Sequence, residues 1–209
     1  MDLYLVRHGQ SEFNIGLTDY LDSDLTPKGR EQADLTALRL ARICPNRIFV
    51  SPLNRTIQTA RPLCAATGIP AEMVPGACEY FSNESYRTFP GRNPSDIYTQ
   101  YSFLNIGSIF PFPTCWWPQE IETDKEIIAR VIVVRDALIS HFAATDNRIV
   151  LISHADTVGR LTEVFLRHTP VPNDPPWSDN CAITLLRCAG TDEAAELVYA
   201  NDSSHLTHA

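Results

Sequence analysis

Short apolar, β-prone runs are separated by longer amphipathic segments along most of the chain. The first run, Leu3–Val6, has the length of one buried strand in a parallel sheet. Five further runs predict the remaining strands: Arg47–Val50, Ala71–Val74, Arg148–Ile152, Ala182–Arg187 and Ala194–Tyr199. The chain therefore alternates predicted strands with segments that are long enough for helices.

Two of these segments begin with a hydroxyl residue followed by proline. Thr26-Pro27 is typical of an N-cap with proline at the first helical position, and Ser51-Pro52 repeats the pattern before a second helix that ends near Gly68. The first helix is expected to run up to Pro45. Its predicted buried face consists of Ala33, Leu35, Leu38, Leu40, Ala41 and Ile43.

Two later segments complete the predicted helices. The spacing Thr123-x-x-Glu126 is a capping box that predicts the start of a long helix, and a last helix is expected over residues 157–167. Strands that alternate with helices predict an α/β fold, a three-layer α/β/α sandwich with a mostly parallel central sheet. The length of 209 residues fits a single domain over residues 1–209.

Residues 80 to about 120 differ from the rest because they are rich in proline, serine and asparagine and also in aromatic side chains. Eleven of the nineteen aromatic residues lie there. A disordered linker is poor in aromatics, so we expect a packed insertion over the mouth of the functional site. The alternative is that the rings only form a small core of the insertion itself, because buried aromatics are mainly hydrophobic contacts.

Composition and charge exclude several classes of function. A formal net charge of -8 and a pI near 5.2 argue against general binding to nucleic acid or anionic membranes. The start Met1-Asp2-Leu3 is unlike a secretory signal, no apolar run is long enough to span a bilayer, and the six cysteines form no CxxC pair. We therefore expect a soluble cytoplasmic protein with reduced thiols. The sequence does not specify its oligomeric state. Any site that binds an anion must be a local concentration of positive charge.

Charged and imidazole side chains follow the predicted strands at the points where they end. Arg7 and His8 follow the first strand directly, and ligands of open α/β sheets bind outside the carboxyl ends of the strands. Arg55 lies beyond the second strand in the first turn of a helix, which is a natural place for an anion. The core strand at residues 148–152 delivers His154 to the same edge.

The residues around His8 also carry a motif. RHGQSEFN, at positions 7–14, resembles the RHGxSxxN signature of the histidine phosphatase superfamily, also called the phosphoglycerate mutase-like family. Further blocks match in the order and approximate spacing of that family: Leu25–Ala33, Ser51–Ala60, Glu79 and Ile152–Ala155. The resemblance covers most of the chain outside residues 80–120 and the tail, and it implies a phosphoglycerate mutase-like fold and chemistry through a phosphohistidine.

The resemblance implies a role for each of five residues. His8 is the nucleophile, Glu79 is the proton donor, and Arg7, Arg55 and His154 form the phosphate pocket. The chemistry of these side chains agrees: a neutral imidazole can attack phosphorus, and guanidinium forks match phosphate oxygens. A protonated His154 would add a third cation, and the carboxyl group would protonate the departing alcohol and then activate water. These cations can replace a metal ion, so we expect no cofactor and no metal site.

Other candidates are less direct. Asn14 stands where the motif places a further polar contact to substrate or phosphate, and Glu84 is an alternative proton donor. Ala155 replaces a glycine that the family often has, as in the branch that dephosphorylates phosphotyrosine and steroid phosphates. Arg87 and Arg92, in the insertion, are candidates for binding a second anionic group of the substrate.

We expect a phosphomonoester hydrolase of the histidine acid phosphatase type. Its substrate is expected to be a small phosphorylated metabolite, a bulky aromatic phosphomonoester or a phosphoprotein. Mutase chemistry is an alternative, but Glu79–Ser82 does not match the Glu-Arg-x-Tyr-Gly segment of glycolytic mutases. A non-catalytic protein that binds a phosphorylated ligand is another. The spacing Cys181-x5-Arg187 also fits cysteine-dependent phosphatases, although its residues have the pattern of a buried strand rather than of a phosphate-binding loop.

Overall fold

The computed structural model describes residues 1–82, 84, 86, 89–143, 145–167, 178–191 and 193–207. Within these ranges, seven strands form one sheet in the order β4-β3-β2-β5-β1-β6-β7, together with five α-helices. The strands are β1 Asp2–Arg7, β2 Arg47–Val50, β3 Ala71–Met73, β4 Leu104–Asn105, β5 Arg148–Ser153, β6 Ile183–Arg187 and β7 Glu196–Asp202. The helices are α1 Pro27–Ala41, α2 Asn54–Thr67, α3 Pro94–Gln100, α4 Asp124–Phe142 and α5 Ala155–Leu166.

The centre of the sheet is parallel. β5 pairs in parallel with both β1 and β2, and β2, β3 and β4 continue the parallel part, whereas β6 and β7 are antiparallel. The predicted mostly parallel sheet is therefore confirmed. In the register of the central pair, Arg7 lies opposite Ser153, and the backbone N–H of His8 donates to the Ser153 carbonyl at 3.0 Å. The residues that follow β1 and β5 thus leave the sheet side by side.

The two faces of the sheet support two separate cores. Side chains of a strand alternate between the faces, so Leu3 and Leu5 pack into a cluster with α4 and α5. Tyr4 and Val6 point the other way and pack with α1 and α2. Helices on both faces confirm the predicted three layers.

The buried face of α1 differs from the predicted one. Leu38 is 62% exposed, whereas Ala33, Thr36, Ala37 and Leu40 are buried. These four positions follow the i, i+3, i+4, i+7 spacing of one helical stripe, and position 38 lies outside it. The polar Thr36 is tolerated there because its hydroxyl donates to the carbonyl four residues earlier at 2.7 Å.

Two of the predicted helix caps are confirmed. The Thr26 side chain accepts a hydrogen bond from the Gly29 N–H at 3.0 Å. Thr123 and Glu126 form both bonds of the capping box at the start of α4. The end of α1 was predicted too late, because the helix ends at Ala41 rather than close to Pro45.

Two helices begin at other residues than predicted. α2 begins at Asn54, three residues after Ser51, and its N-cap Leu53 has no side-chain bond. The carboxylate of Asp22 instead accepts the backbone N–H of Asn54, so a residue remote in sequence satisfies this helix end. α5 begins at Ala155, two residues before the predicted start.

The aromatic insertion is packed, and it adds a helix and a strand that the sequence pattern did not predict. Ile97 of α3 and Tyr101, which caps its end, join the core beside α1 and α2. Most of the other buried rings form a third cluster, here called the aromatic cluster: Phe81, Phe89, Trp116 and Trp117 with Leu21, Leu53 and Cys78. The insertion therefore has its own core, and this core rests on Cys78 and Leu53, which lie next to Glu79 and to the start of α2.

No helix in the described part of the chain has both the length and the apolar character that crossing a bilayer requires.

The loop after β1 is held by a close backbone contact between two glycines. A Cβ atom on Gly29 would lie 1.9 Å from the Gln10 carbonyl oxygen, and one on Gly9 would lie 2.5 Å from the Gly29 oxygen. Both contacts are with backbone, which cannot move aside as a flexible side chain can. The amino end of α1 therefore reaches the loop that carries His8 only because neither residue has a side chain.

We predict that Gly29→Ala lowers the free energy of unfolding by about 1–3 kcal/mol, since the added methyl overlaps backbone in a packed contact. Gly190→Ala is the matched control, because its Cβ would meet only Glu193 at 3.9 Å; we expect a change within about 0.5 kcal/mol. Urea unfolding of both variants measures the difference. Equal stabilities would contradict the proposed role of the Gly9–Gly29 contact.

Candidate active site

Five residues that are far apart in sequence meet at the carboxyl edge of the parallel strands. Arg7 and His8 end β1, Arg55 lies in the first turn of α2, and His154 directly follows β5. Glu79 lies in the segment after β3, and its carboxylate oxygen Oε2 is 3.8 Å from Nδ1 of His154. The structure thus brings together the five residues to which the family resemblance gives a role.

His8 is buried, and both ring nitrogens have defined neighbours. Nδ1 lies 2.7 Å from the Gly9 carbonyl oxygen, which can only accept, so Nδ1 carries the proton. Nε2 then has a lone pair and accepts a hydrogen bond from Nε of Arg55 at 3.1 Å. Burial and the guanidinium groups of Arg55 and Arg7 hold the pKa of His8 well below its usual value. The imidazole is therefore neutral at physiological pH.

Arg55 is held from two sides. Its Nη1 donates to the Leu21 carbonyl at 2.5 Å, while its own carbonyl accepts the Thr59 hydroxyl at 2.6 Å. The same hydroxyl accepts the Gly9 N–H at 3.0 Å, which ties α2 to the loop that carries His8. Burial lowers the pKa of Arg55, but a guanidinium keeps its charge in proteins. A fixed cation therefore lies against the His8 ring.

Arg7 has a hydrogen-bond donor that no group in the described part of the chain accepts. Its Nη1 donates to the Ser178 carbonyl at 2.5 Å, whereas Nε is buried and has no hydrogen-bond partner. Carboxylates on several sides interact with this guanidinium, the strongest being Glu79, followed by Asp179 and Asp156. A buried donor without a partner is costly unless a ligand satisfies it, so Arg7 is suited to bind an anion in the pocket.

His154 is completely buried, and its ring centroid lies 5.2 Å from that of His8. Nε2 contacts the Ser51 hydroxyl at 2.8 Å, and Nδ1 has no hydrogen-bond partner. Burial and the charge of Arg55 lower the pKa of His154 well below its usual value. In the unliganded site His154 is therefore a neutral ring, because desolvation and the neighbouring charges oppose the protonated form that would add a third cation.

Glu79 is the carboxyl group of the pocket. Its side chain is 12% exposed, and Oε1 accepts the Tyr80 N–H at 2.9 Å. Burial raises the pKa of Glu79 to about 7, while Arg55 opposes the shift. A carboxyl group with this pKa can both give and take a proton near neutral pH. Glu84, the alternative donor, is exposed.

The segment that carries Glu79 is fixed by bonds to its backbone. The Ser153 hydroxyl donates to the Ala77 carbonyl and the Thr157 hydroxyl to the Cys78 carbonyl, both at 2.7 Å. Arg130 of α4 donates to the Cys78 carbonyl at 3.0 Å and forms an ion pair with Glu122 at 2.7 Å.

Sequence reasoning assigned no role to Arg130 and so missed its contact with the Glu79 segment. The available signal was a charged residue on the face of α4 that otherwise carries Ile127, Val131 and Val134.

Two of the remaining sequence candidates, Asn14 and Ala155, lie beside residues of the pocket. Asn14 is exposed, and its Oδ1 accepts from the Ser11 N–H and from Nδ2 of Asn180, which also donates to the His8 carbonyl. Asn14 therefore supports the His8 loop. Ala155 is the first residue of α5.

Arg92 is already bound by the protein. It donates to Asn54 at 2.6 Å and to Gln100, and its Nη1 lies 3.8 Å from the buried carboxylate of Asp22. These partners occupy the guanidinium that was expected to bind a second anionic group of the substrate. Arg87, the other candidate for this contact, lies outside the described residues.

The cysteine-dependent route does not fit the structure. Cys181 is buried, and burial raises the pKa of its thiol to about 12. Arg187 lies at the far end of β6, where it pairs with Asp2 at 2.9 Å. A reactive cysteine needs a lowered pKa, and a phosphate loop needs its arginine beside the thiol.

Metal ligation was not expected. In the described ranges, no three or more His, Cys, Asp and Glu side chains converge in an arrangement that could hold a metal ion.

We predict that Glu79→Gln changes how stability depends on pH. The pKa of Glu79 is higher in the folded protein, about 7, than its ordinary value of 4.5, so the folded state holds an extra proton between these values. Wild-type stability therefore falls as pH rises through this window. Glutamine does not titrate, so urea unfolding should show the variant gaining about 2–3 kcal/mol relative to wild type between pH 5 and pH 8. A pH-independent difference would contradict the raised pKa.

The chain is similar to known proteins over most of its length. The chain matches the histidine phosphatase superfamily (branch 1) over residues 3–202. It is 28% identical over 182 residues to the glucosyl-3-phosphoglycerate phosphatase of Mycolicibacterium vanbaalenii, covering 83% of this chain and 77% of that protein. It is 30% identical over 213 residues to the "Putative phosphoserine phosphatase 2" of Hydrogenobacter thermophilus, covering 97% and 96%.

Solved structures show the same fold. A mycobacterial glucosyl-3-phosphoglycerate phosphatase in complex with VO3 superimposes with a TM-score of 0.71 and 24% identity, covering 97% of this chain and 99% of that one. Bacillus stearothermophilus YhfR gives a TM-score of 0.72 and 20% identity over 98% of both chains. With a family match over nearly the whole length, the chain belongs to the histidine phosphatase superfamily.

Proposed function

We propose that the protein is a phosphomonoester hydrolase that forms a covalent phosphohistidine at Nε2 of His8. One observation carries the proposal. Nδ1 of the buried His8 donates to the Gly9 carbonyl at 2.7 Å, so Nε2 has a fixed lone pair, and this lone pair faces the Arg55 guanidinium at 3.1 Å. A neutral imidazole beside a fixed cation is arranged to attack an anionic phosphoryl group.

In the first step, the Nε2 lone pair forms a bond to phosphorus while the bond from phosphorus to the ester oxygen breaks in line with it. The departing oxygen takes a proton from the carboxyl group of Glu79, which becomes a carboxylate. The products are a free alcohol and phospho-His8. Glu79 is suited to this transfer because its pKa is raised to about 7 by burial.

In the second step, the Glu79 carboxylate takes a proton from a water molecule whose oxygen attacks phosphorus. The bond from Nε2 to phosphorus breaks, inorganic phosphate leaves, and both residues return to their starting protonation states. The Arg7 and Arg55 guanidinium groups balance the negative charge on the phosphoryl oxygens in both steps. Arg55 exchanges its bond to Nε2 of His8 for a bond to the phosphoryl group.

We further propose that the substrate is a small polar metabolite that carries a phosphomonoester. The aromatic rings of the insertion are packed inside the protein rather than presented to a bulky aromatic substrate: Trp117 is 2% exposed, Phe81 1% and Phe89 3%. Rings packed against one another offer little surface to a ligand. The names of the two relatives, which refer to glucosyl-3-phosphoglycerate and to phosphoserine, are in keeping with a small polar substrate.

We predict that phosphate release from a panel of phosphomonoesters persists in EDTA, is lost in His8→Ala, and is accompanied in wild type by an acid-labile phosphoenzyme. Arg187→Gln, at the end of β6 far from the pocket, should keep most of the activity. Phosphate release that persists in His8→Ala would contradict the phosphohistidine mechanism. Isomerisation of a phosphoglycerate without phosphate release would support a mutase, and binding without turnover would support a non-catalytic phospho-ligand-binding protein.

We also predict that the cost of Glu79→Gln depends on the leaving group. An alkyl phosphate needs protonation of a strongly basic oxygen, so kcat should fall by about 100-fold to 10,000-fold. p-Nitrophenyl phosphate needs little assistance, and the loss in its first step, measured by burst kinetics, should be much smaller. An equal loss on both substrates would show that Glu79 is not the proton donor.

A further inference from the structure

Ser51 is a buried residue of the pocket for which the proposed mechanism has no role. It follows β2, and its backbone is fixed at both ends: its N–H donates to the Ile152 carbonyl at 3.0 Å, and its carbonyl accepts the Thr56 hydroxyl at 2.8 Å. Its hydroxyl is 2.8 Å from Nε2 of His154 and has no other hydrogen-bond partner among the described residues. The side chain therefore has one polar contact, and that contact is to a residue of the phosphate pocket.

The position of the shared hydrogen decides what His154 presents to the substrate. If Nε2 carried the proton, it would donate to Ser51, and the hydroxyl hydrogen of Ser51 would be buried without an acceptor. Nδ1 would then direct a lone pair towards the Glu79 carboxylate, 3.8 Å away, and towards the phosphate oxygens. Both consequences are unfavourable, because a buried donor would be unsatisfied and, when Glu79 is ionised, two acceptors would face each other.

The opposite arrangement satisfies the Ser51 hydroxyl and leaves one donor, on His154, for a ligand. If the Ser51 hydroxyl donates to Nε2, then Nδ1 of a neutral His154 carries the proton. This N–H is buried and has no protein partner, and it faces the space beside Glu79 where the phosphoryl group is transferred. An unsatisfied buried donor at this place is the partner that a phosphoryl oxygen needs.

We propose that Ser51 is a positioning residue that fixes His154 as the neutral Nδ1–H tautomer, so that His154 acts as a hydrogen-bond donor to the transferred phosphoryl group rather than as a cation. This role rests on the proposed hydrolase function. It also replaces the third cation expected from the sequence by a dipole of defined direction.

The surroundings of His154 explain why a fixed tautomer is needed. His8 and Arg7 face it from the end of β1, Arg55 from α2, Arg130 from α4 and Glu79 from the segment after β3. Three of these five groups are permanent cations, which oppose protonation of the ring in the unliganded site. A neutral ring has only one proton, so the partner of the other nitrogen decides whether the donor faces the phosphate.

The direct test is the tautomer itself, read from 15N chemical shifts of histidine-labelled protein at pH 8. We expect the shifts of wild-type His154 to show a protonated Nδ1 and an unprotonated Nε2, and those of Ser51→Ala to move towards a mixture of tautomers. Thr162→Val is the matched control, because it removes another buried hydroxyl, one that donates to the Val158 carbonyl within α5 and contacts neither Ser51 nor His154. A protonated Nε2 in wild type, or an unchanged tautomer in Ser51→Ala, would overturn the proposal.

The kinetic test compares variant with wild type across pH. At pH 8 we expect kcat of Ser51→Ala to fall about tenfold to a hundredfold, as for a buried polar group that loses its partner. A bound phosphate dianion favours the imidazolium form of His154, in which both nitrogens carry protons. The ratio of kcat in Ser51→Ala to kcat in wild type should therefore rise towards one as the pH falls to 5. Thr162→Val should give a kcat ratio that does not vary with pH, and a constant ratio in Ser51→Ala would mean that Ser51 is merely structural.

The two readouts separate this proposal from the hydrolase function. The 15N shifts do not require turnover, so a Ser51-dependent tautomer in a protein without phosphatase activity would support the positioning role while the hydrolase function fails. If turnover depends on His8 but the His154 tautomer is the same in wild type and Ser51→Ala, the hydrolase function is supported and the positioning role of Ser51 fails.

Discussion

The parallel pairing of β1 with β5 is the constraint on which the site depends. It places Arg7 opposite Ser153, and the His8 N–H bonds to the Ser153 carbonyl, so His8 and His154 leave the sheet as neighbours. Their ring centroids lie 5.2 Å apart. A shift of one residue in this register would send the alternating side chains of one strand to the wrong faces, because the side-chain period of a strand is two. The two apolar cores that fix the register therefore also set the distance between the histidines.

Burial shifts the pKa values of the pocket residues, and removing these polar groups from water is unfavourable for the folded state. Two guanidinium groups, two imidazoles and a carboxyl group are removed from water together, and desolvation is the largest cause of each pKa shift. Both imidazoles are held neutral, and Glu79 is raised to a pKa of about 7. Such an arrangement is typical of functional sites, where groups are kept in states that water would not favour. Hydrogen bonds between backbone groups and the side chains of Thr59, Ser153 and Arg130 fix the segments that carry His8 and Glu79.

Much of the fold could be predicted from local patterns. The strand runs, the capping box at Thr123 and the mostly parallel sheet follow from apolar periodicity and cap residues, which are properties of neighbours in sequence. The start of α2 could not be predicted in this way, because its first N–H is satisfied by Asp22, more than thirty residues away. The exposure of Leu38 likewise depends on which stripe of α1 meets the sheet, and an apolar residue off that stripe gives no signal of its own.

The sequence by itself determined which side chains are brought together in the candidate site: the motif around His8, and the positions of Arg55 and His154 at strand and helix ends, predict their meeting. Only the tertiary structure decided their states. It buries Glu79 while leaving Glu84 exposed, engages Arg92 with protein partners, and surrounds His154 with cations that keep it neutral. The reason is physical: identity and spacing are written along the chain, whereas pKa values and hydrogen-bond partners depend on burial and on charges that only folding brings together.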